Sequence, residues 1–177
     1  MPTRPKRIDL WLLVLAIAAI LIVWGMRPRI TPIKGSMIAD RVTVEKSNHR
    51  LVLYRDGAVL RSYAVALGRG GIGPKERAGD NRVPEGQYRI VSRNPHSAFY
   101  RALRVGYPTP QQVAAARAAG IDPGGDIMIH GIRNGLGWIG TFQRTVDWTR
   151  GCVAVTDEEM DEIWRLVPDG TPIEIRP

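Results

Sequence analysis

Cys152 is the only cysteine in this 177-residue chain. It stands in "TRGCVAV" (149–155), between a glycine and a short β-prone run. A thiol becomes a useful nucleophile as thiolate, and a nearby imidazole can take its proton. His130 closes a short apolar stretch, "DIMIHG" (126–131), 22 residues earlier. Its ordinary pKa near neutrality suits proton exchange with a thiol. Gly151 leaves the backbone beside the thiol uncrowded, so N–H groups at Gly151 and Cys152 could face a developing oxyanion. Taken by type alone, the pair fits either covalent catalysis or two satisfied core residues.

Other chemistries find less support. A disulfide redox protein would need a second cysteine, and the Cys-x-x-Cys pair is missing. No two histidines have zinc spacing, so neither a metal nor another cofactor is expected. Thiol proteases of the papain type place Cys before His, the reverse of the order here. His49 falls in an expected hairpin turn, and His96, in "NPHSAFY", reads as loop or surface packing.

The elements that must position Cys152 and His130 can be read outward from them. "RVTVEK" (41–46) and "RLVLYR" (50–55) alternate apolar and polar residues, as half-buried strands do. Asp56-Gly57 predicts a tight hairpin into "AVLRSYAVAL". Residues 68–86, rich in glycine and charge, read as a long loop, and "QYRIVS" (87–92) returns to strand. Two helices are marked by their caps. Residues 109–120 begin with Thr109, Pro110 and Gln112, a capping box with proline at the first helical position, and stop at Gly120. Residues 156–170 begin with Thr156 and Glu159 and carry an apolar stripe of Met160, Ile163, Trp164 and Val167. The carboxylates of that first turn suit the helix dipole better than an acid/base pair.

Residues 10–26, "LWLLVLAIAAILIVWGM", are apolar on every face, with Trp11 and Trp24 near the ends and Arg or Lys on both flanks. This predicts an uncleaved transmembrane anchor. No small-residue cleavage site follows the run, as a signal peptide would require. Residues 1–9 would then form a basic cytoplasmic tail, 27–40 a linker, and 41–177 one domain outside the cytoplasm. Of the formal charge of +8, most belongs to the first 34 residues. The domain itself carries scattered arginines without interleaved stacking aromatics, so nucleic-acid binding is not expected.

The spacing His130-Gly131, 17 residues, Thr149-Arg150-Gly151-Cys152 resembles the YkuD-type L,D-transpeptidase catalytic domain. Residues 65–90 are similar to that family's strand, glycine loop and "TP-x-G-x-Y-x-I" segment, with Val83 in place of the usual Thr. Residues 94–131 resemble the approach to its histidine, and the likeness runs from about 41 to 175. It implies a mainly β fold, a two-sheet sandwich with two packed helices, behind the N-terminal transmembrane helix. It implies peptidoglycan stem peptides as partner and a Cys152 thioester at the third stem residue, with release of D-Ala. Cys152 matches the nucleophile, His130 the general base, and Gly151 the glycine at the oxyanion site.

Two positions depart from the family pattern. Arg150 stands where many members have a second histidine. A fixed cation there is expected to favour thiolate, to bind a substrate carboxylate, or simply to point to solvent. Ala154 stands where many carry arginine. Arg150, with Thr149 and Gly131, completes the candidate substrate contacts. Transfer to an amine, hydrolysis by the same Cys–His pair, and a non-catalytic membrane-anchored peptidoglycan-binding module all remain open from the residues.

Overall fold

A computed structural model describes residues 10–25, 33 and 37–177. The tail 1–9, Met26 and most of the linker 27–40 lie outside the described residues. The folded domain begins where Ala39 is buried and its N–H bonds to the carbonyl of Leu166 at 2.7 Å.

Strands β1 (Arg41–Glu45) and β2 (Arg50–Arg55) pair antiparallel, as the alternation predicts. Asp56 and Gly57, both at positive φ, turn the chain into β3 (Ala58–Ala64). β4 (Gly86–Ser97) and β5 (Tyr100–Val105) follow, then β6 (Met128–His130) and β7 (Val153–Ala154). β8 (Pro172–Arg176) returns parallel to β1 and antiparallel to β4.

The expected two sheets are one. The hydrogen-bonded order is β3-β2-β1-β8-β4-β5-β6-β7. The link is the 12-residue β4, which outruns the six residues its alternation suggested. Residues 86–89 pair with β8 and residues 90–97 with β5, with register shifts after Ile90 and after Asn94. Such irregularities bend a strand, so β4 serves both halves and turns the sheet around its core. The ends of that order also meet. Ala66 and Ala154 exchange both backbone bonds, at 2.9 and 3.0 Å, and Gly68 bridges to Thr149. Val44, Leu53, Ile90, Leu103, Ile129 and Ile173 are all fully enclosed between the two halves.

The helices differ in what they do. α2 (Pro110–Ala118) and α3 (Asp157–Leu166) both show complete capping boxes, from Thr109 with Gln112 and from Thr156 with Glu159. α3 packs against β5 and buries Met160, Ile163 and Leu166. α2 buries no residue, so the expectation of two packed helices holds for one. Its sequence, PQQVAAARA, has no stripe of large apolar side chains to offer a core. Its visible tie is Gln112 Nε2 donating to the Tyr88 hydroxyl at 3.0 Å.

α1 (Leu10–Gly25) is apolar all round, and residues 10–22 are exposed. At 16 residues it extends roughly 24 Å, against about 30 Å for a bilayer core. Among the described residues no helix is long and apolar enough to cross a membrane.

The loop 68–86 is held from beneath by Lys46, whose side chain is fully buried. Its ammonium donates to the carbonyls of Gly73 and Val83 and to Glu85 at 2.6 Å. Inside the loop, Asp80 accepts from the N–H groups of Glu76, Arg77 and Arg82 and from the nearly buried Lys75. These bonds outweigh the cost of burying it and hold its carboxyl far below the usual range.

Candidate active site

His130 ends β6, hydrogen-bonded between β5 and β7, and is 4% exposed. Its Nδ1 lies 2.6 Å from the Gly131 carbonyl oxygen. A carbonyl can only accept, so Nδ1 carries the proton and donates. In the neutral ring Nε2 is then the unprotonated atom, free to accept. Phe99 packs on the imidazole with centroids 4.7 Å apart, and Trp148 meets it at 5.7 Å, edge to face. Burial pushes its pKa below the ordinary 6.5, against a smaller upward pull from the Gly131 bond.

Cys152 sits at the end of a turn that Thr149 organises. The Thr149 hydroxyl donates to the Cys152 carbonyl at 2.7 Å and accepts from the Gly151 N–H at 3.2 Å. Thr149 N–H donates to Leu67 O, and Arg69 N–H to Thr149 O, which fastens the turn to the chain after β3. Gly151 has φ +114°, and a Cβ there would lie 2.8 Å from the Arg82 carbonyl oxygen. Gly68 closes on it from the loop; its own Cβ would lie 2.9 Å from Gly151 Cα. Only glycine fits either position. The thiol donates to the carbonyl of Asp126 at 3.5 Å, and Asp126 is itself at φ +55°.

Cys152 and His130 line one cavity of about 660 Å³. Phe99, Ile132, Ile139, Phe142 and Trp148 give it apolar walls, and Arg133 and Arg150 bring positive charge. The 3-10 segment Gly137–Thr145, kinked at Gly140, forms one side. Gln143 secures that segment: it accepts from Trp148 Nε1 at 2.8 Å and donates to Ala154 O at 3.4 Å. Arg144 adds an ion pair to Glu159 of α3.

The family-model comparison matches the L,D-transpeptidase catalytic domain, YkuD, over residues 39–175. The chain belongs to this family. YafK of Escherichia coli (strain K12), a protein assigned to the L,D-transpeptidases, is 37% identical over 112 residues, 62% of this chain and 37% of YafK. The chain thus spans little more than a third of the length of the curated relatives it matches. Among solved structures, the helical cell shape determining protein Pgp2 of Campylobacter jejuni (K307A mutant) aligns with a TM-score of 0.58 at 23% identity. The alignment covers 79% of this chain and 47% of that one. The L,D-transpeptidase of Xylanimonas cellulosilytica (residues 123–326) aligns at 0.52 and 21% identity, over 84% of this chain and 65% of that one. At these identities the structural matches show a shared fold.

Within this L,D-transpeptidase domain the sequence-derived site residues gather as follows. His130, Thr149, Arg150 and Cys152 all line the cavity. Gly131 lies behind it, where a Cβ would sit 2.6 Å from the Asp157 carboxylate. The Gly151 N–H donates to the Thr149 hydroxyl. Burial pushes the Cys152 thiol above its ordinary 9, with Asp126 adding to the rise; a Met128 backbone bond and Lys75 oppose it. Ala154 is fully enclosed beside Ala66 and forms no part of the cavity wall.

Four contributors escaped the sequence reading. Asp157 was legible only as a first-turn acid, yet its Oδ1 accepts from the Ile132 N–H at 2.8 Å and so fixes the chain just after His130. Trp148 and Gln143 carry no motif, although a tryptophan four residues before the cysteine was a visible signal. Asp147 joins the turn to β-sheet neighbours, accepting from Leu67 N–H at 2.7 Å and pairing with His49 Nε2 at 2.9 Å.

Proposed function

We propose that this chain is a peptidoglycan L,D-transpeptidase that works through a thioester on Cys152. The observation that carries the reading is the fixed tautomer of His130 in the cavity it shares with the thiol. Its Nδ1–H is spent on Gly131, which leaves Nε2 as the base. Nε2 takes the thiol proton as sulfur attacks the carbonyl of the third stem residue. Backbone N–H groups at Gly151 and Cys152 receive the oxyanion, Gly151 giving up its bond to Thr149. Collapse of the adduct breaks the C–N bond. The protonated His130 hands its proton to the departing amine, and D-Ala leaves. An acceptor amine then attacks the thioester, loses its proton to His130, and restores the thiol as the new amide forms.

The family membership and the apolar cavity support transfer, since apolar walls favour an amine-bearing stem over water in the second step. The cell-shape role in the name of Pgp2 supports a substrate in the cell wall. We also propose that the apolar N-terminal segment holds the enzyme at the cytoplasmic membrane with its domain outside the cytoplasm. The exposed apolar surface of residues 10–22 supports this.

The test uses the full chain in detergent with purified disaccharide-tetrapeptide, with and without an acceptor stem, beside Cys152→Ala. Mass spectrometry is expected to show a dimer lighter than two substrates by one alanine. Loss of D-Ala without dimer would replace transfer by hydrolysis. Identical silence from both proteins, with full biological function in Cys152→Ala cells, would replace the enzyme by a binding module.

A further inference from the structure

Among the described residues Arg133 and Arg150 line the cavity and no carboxylate does, so its formal charge is of one sign. The two arginines come from different stretches of chain. Arg150 adjoins Gly151 and Cys152, on the sulfur's side. Arg133 lies three residues beyond His130, at most about 11 Å of chain away. Its side chain is exposed, but its backbone is not free to wander. The Ile132 N–H is tied to Asp157, and the Asn134 N–H to Ala98 O at 3.0 Å. The Asn134 amide accepts from Tyr100 N–H and donates to Ser97 O. The base of this exposed cation is therefore held at the cavity rim, within reach of a bound substrate.

Proton transfer fixes which half of the substrate it meets. His130 Nε2 must reach the departing nitrogen, so the expelled residue lies on the His130 side of the scissile bond. We propose that Arg133 is the specificity residue for that leaving residue: its guanidinium takes the terminal α-carboxylate of the amino acid being expelled. This rests on the acyl-transfer reading above. The bond broken and the proton path are those already given; Arg133 adds a forked, charge-assisted contact to the group that departs. The enzyme would therefore act where exactly one residue follows the scissile bond and ends in a free carboxylate. A peptide whose end is amidated, or which carries one residue more, would place a neutral group at Arg133.

The experiment compares two donors with the full-length protein: a tetrapeptide stem ending in D-Ala free acid, and the same stem ending in D-alaninamide. Release of D-Ala or D-alaninamide is followed together with the intact mass of the Cys152 adduct. Wild type is expected to favour the acid by roughly ten- to hundredfold in kcat/KM, the range of a charge-assisted pair. Arg133→Ala should bring the two donors within about threefold of each other, through a raised KM for the acid alone. Arg133→Lys should keep part of the preference, because it keeps charge and loses the fork. Arg150→Ala should slow both donors alike. A misfolded variant would lose both, so the ratio reports on the contact itself. Equal use of acid and amide by wild type, or a ratio unchanged in Arg133→Ala or abolished in Arg150→Ala, overturns the assignment while leaving acyl transfer standing. No adduct and no release from either donor overturns acyl transfer, and this assignment with it.

Discussion

Alkylation of Cys152 as a function of pH separates two kinds of resting site. In one, sulfur and imidazole exist as a preformed thiolate–imidazolium pair. In the other, both are neutral until substrate arrives. Burial raises the thiol above its ordinary 9 and lowers His130 below its ordinary 6.5. Both shifts oppose charge, so the neutral pair is favoured. Proton transfer from sulfur to Nε2 must overcome more than the gap between those ordinary values, over about 3 kcal/mol. The thiolate is then fewer than about one molecule in a hundred at pH 7. The iodoacetamide rate of the free enzyme should accordingly rise about tenfold per pH unit from 6 to 9, with no plateau. His130→Ala should change that rate by less than about threefold, while transfer activity falls by about 10²–10⁴. Stopped-flow alkylation with intact-mass readout measures the first, and D-Ala release the second. A plateau between pH 6 and 8 that vanishes in His130→Ala would refute the reasoning, because it would demonstrate a standing ion pair.

Three other outcomes follow from the same geometry. Gly151→Ala places a Cβ against the Arg82 carbonyl at a backbone angle that L side chains resist, and should cost about 3 kcal/mol, read by denaturant unfolding, with loss of acylation. Asp157→Ala orphans the Ile132 N–H and should cost about 1–3 kcal/mol; kcat should drop more than KM rises, and Asp157→Asn should recover part, in steady-state kinetics of D-Ala release. Glu45 is held down to about 2 from its ordinary 4.5 by bonds from Arg176 and Arg50, so its stabilisation is complete above pH 4.5 and is lost as pH falls toward 2; Tm against pH should show that slope flatten in Glu45→Gln.

The parts legible in the sequence are those whose cause is local. Alternation with Asp56-Gly57 specifies the β1–β2–β3 meander because period and turn chemistry are both short-range. The two capping boxes need two residues each, three positions apart, and form both of their bonds. What was not legible depends on distant chain. The far half of β4, "RNPHS", has neither alternation nor apolar residues, and it is a strand because β5 lies beside it. This one segment turns the expected two sheets into one. The 3-10 segment 137–145 has no helix signal and is fixed by Gln143 and Arg144 reaching Ala154 and Glu159. At the site, Cys152 and His130 were legible by type and spacing. Their protonation was not, because burial and the Gly131 carbonyl decide it, while the sequence offered only the adjacent charge of Arg150.

The neutral resting pair also bears on why the chain carries a single thiol. Thiolate character governs attack by oxidants as well as attack on carbonyls. The location proposed for this domain, outside the cytoplasm, is an oxidising medium. A standing thiolate there would be spent on sulfenic acid between turnovers. A thiol kept protonated by burial, donating to the Asp126 carbonyl, is a poor target until a substrate carbonyl reaches it. In the proposed reaction the stem supplies the electrophile that consumes the negative charge on sulfur as Nε2 removes the proton. Activation is thereby confined to the occupied site. The absence of any other cysteine removes the remaining internal hazard, a disulfide that would cap the nucleophile. The partial burial of Cys152 and its solitude thus act on the same vulnerability from two directions.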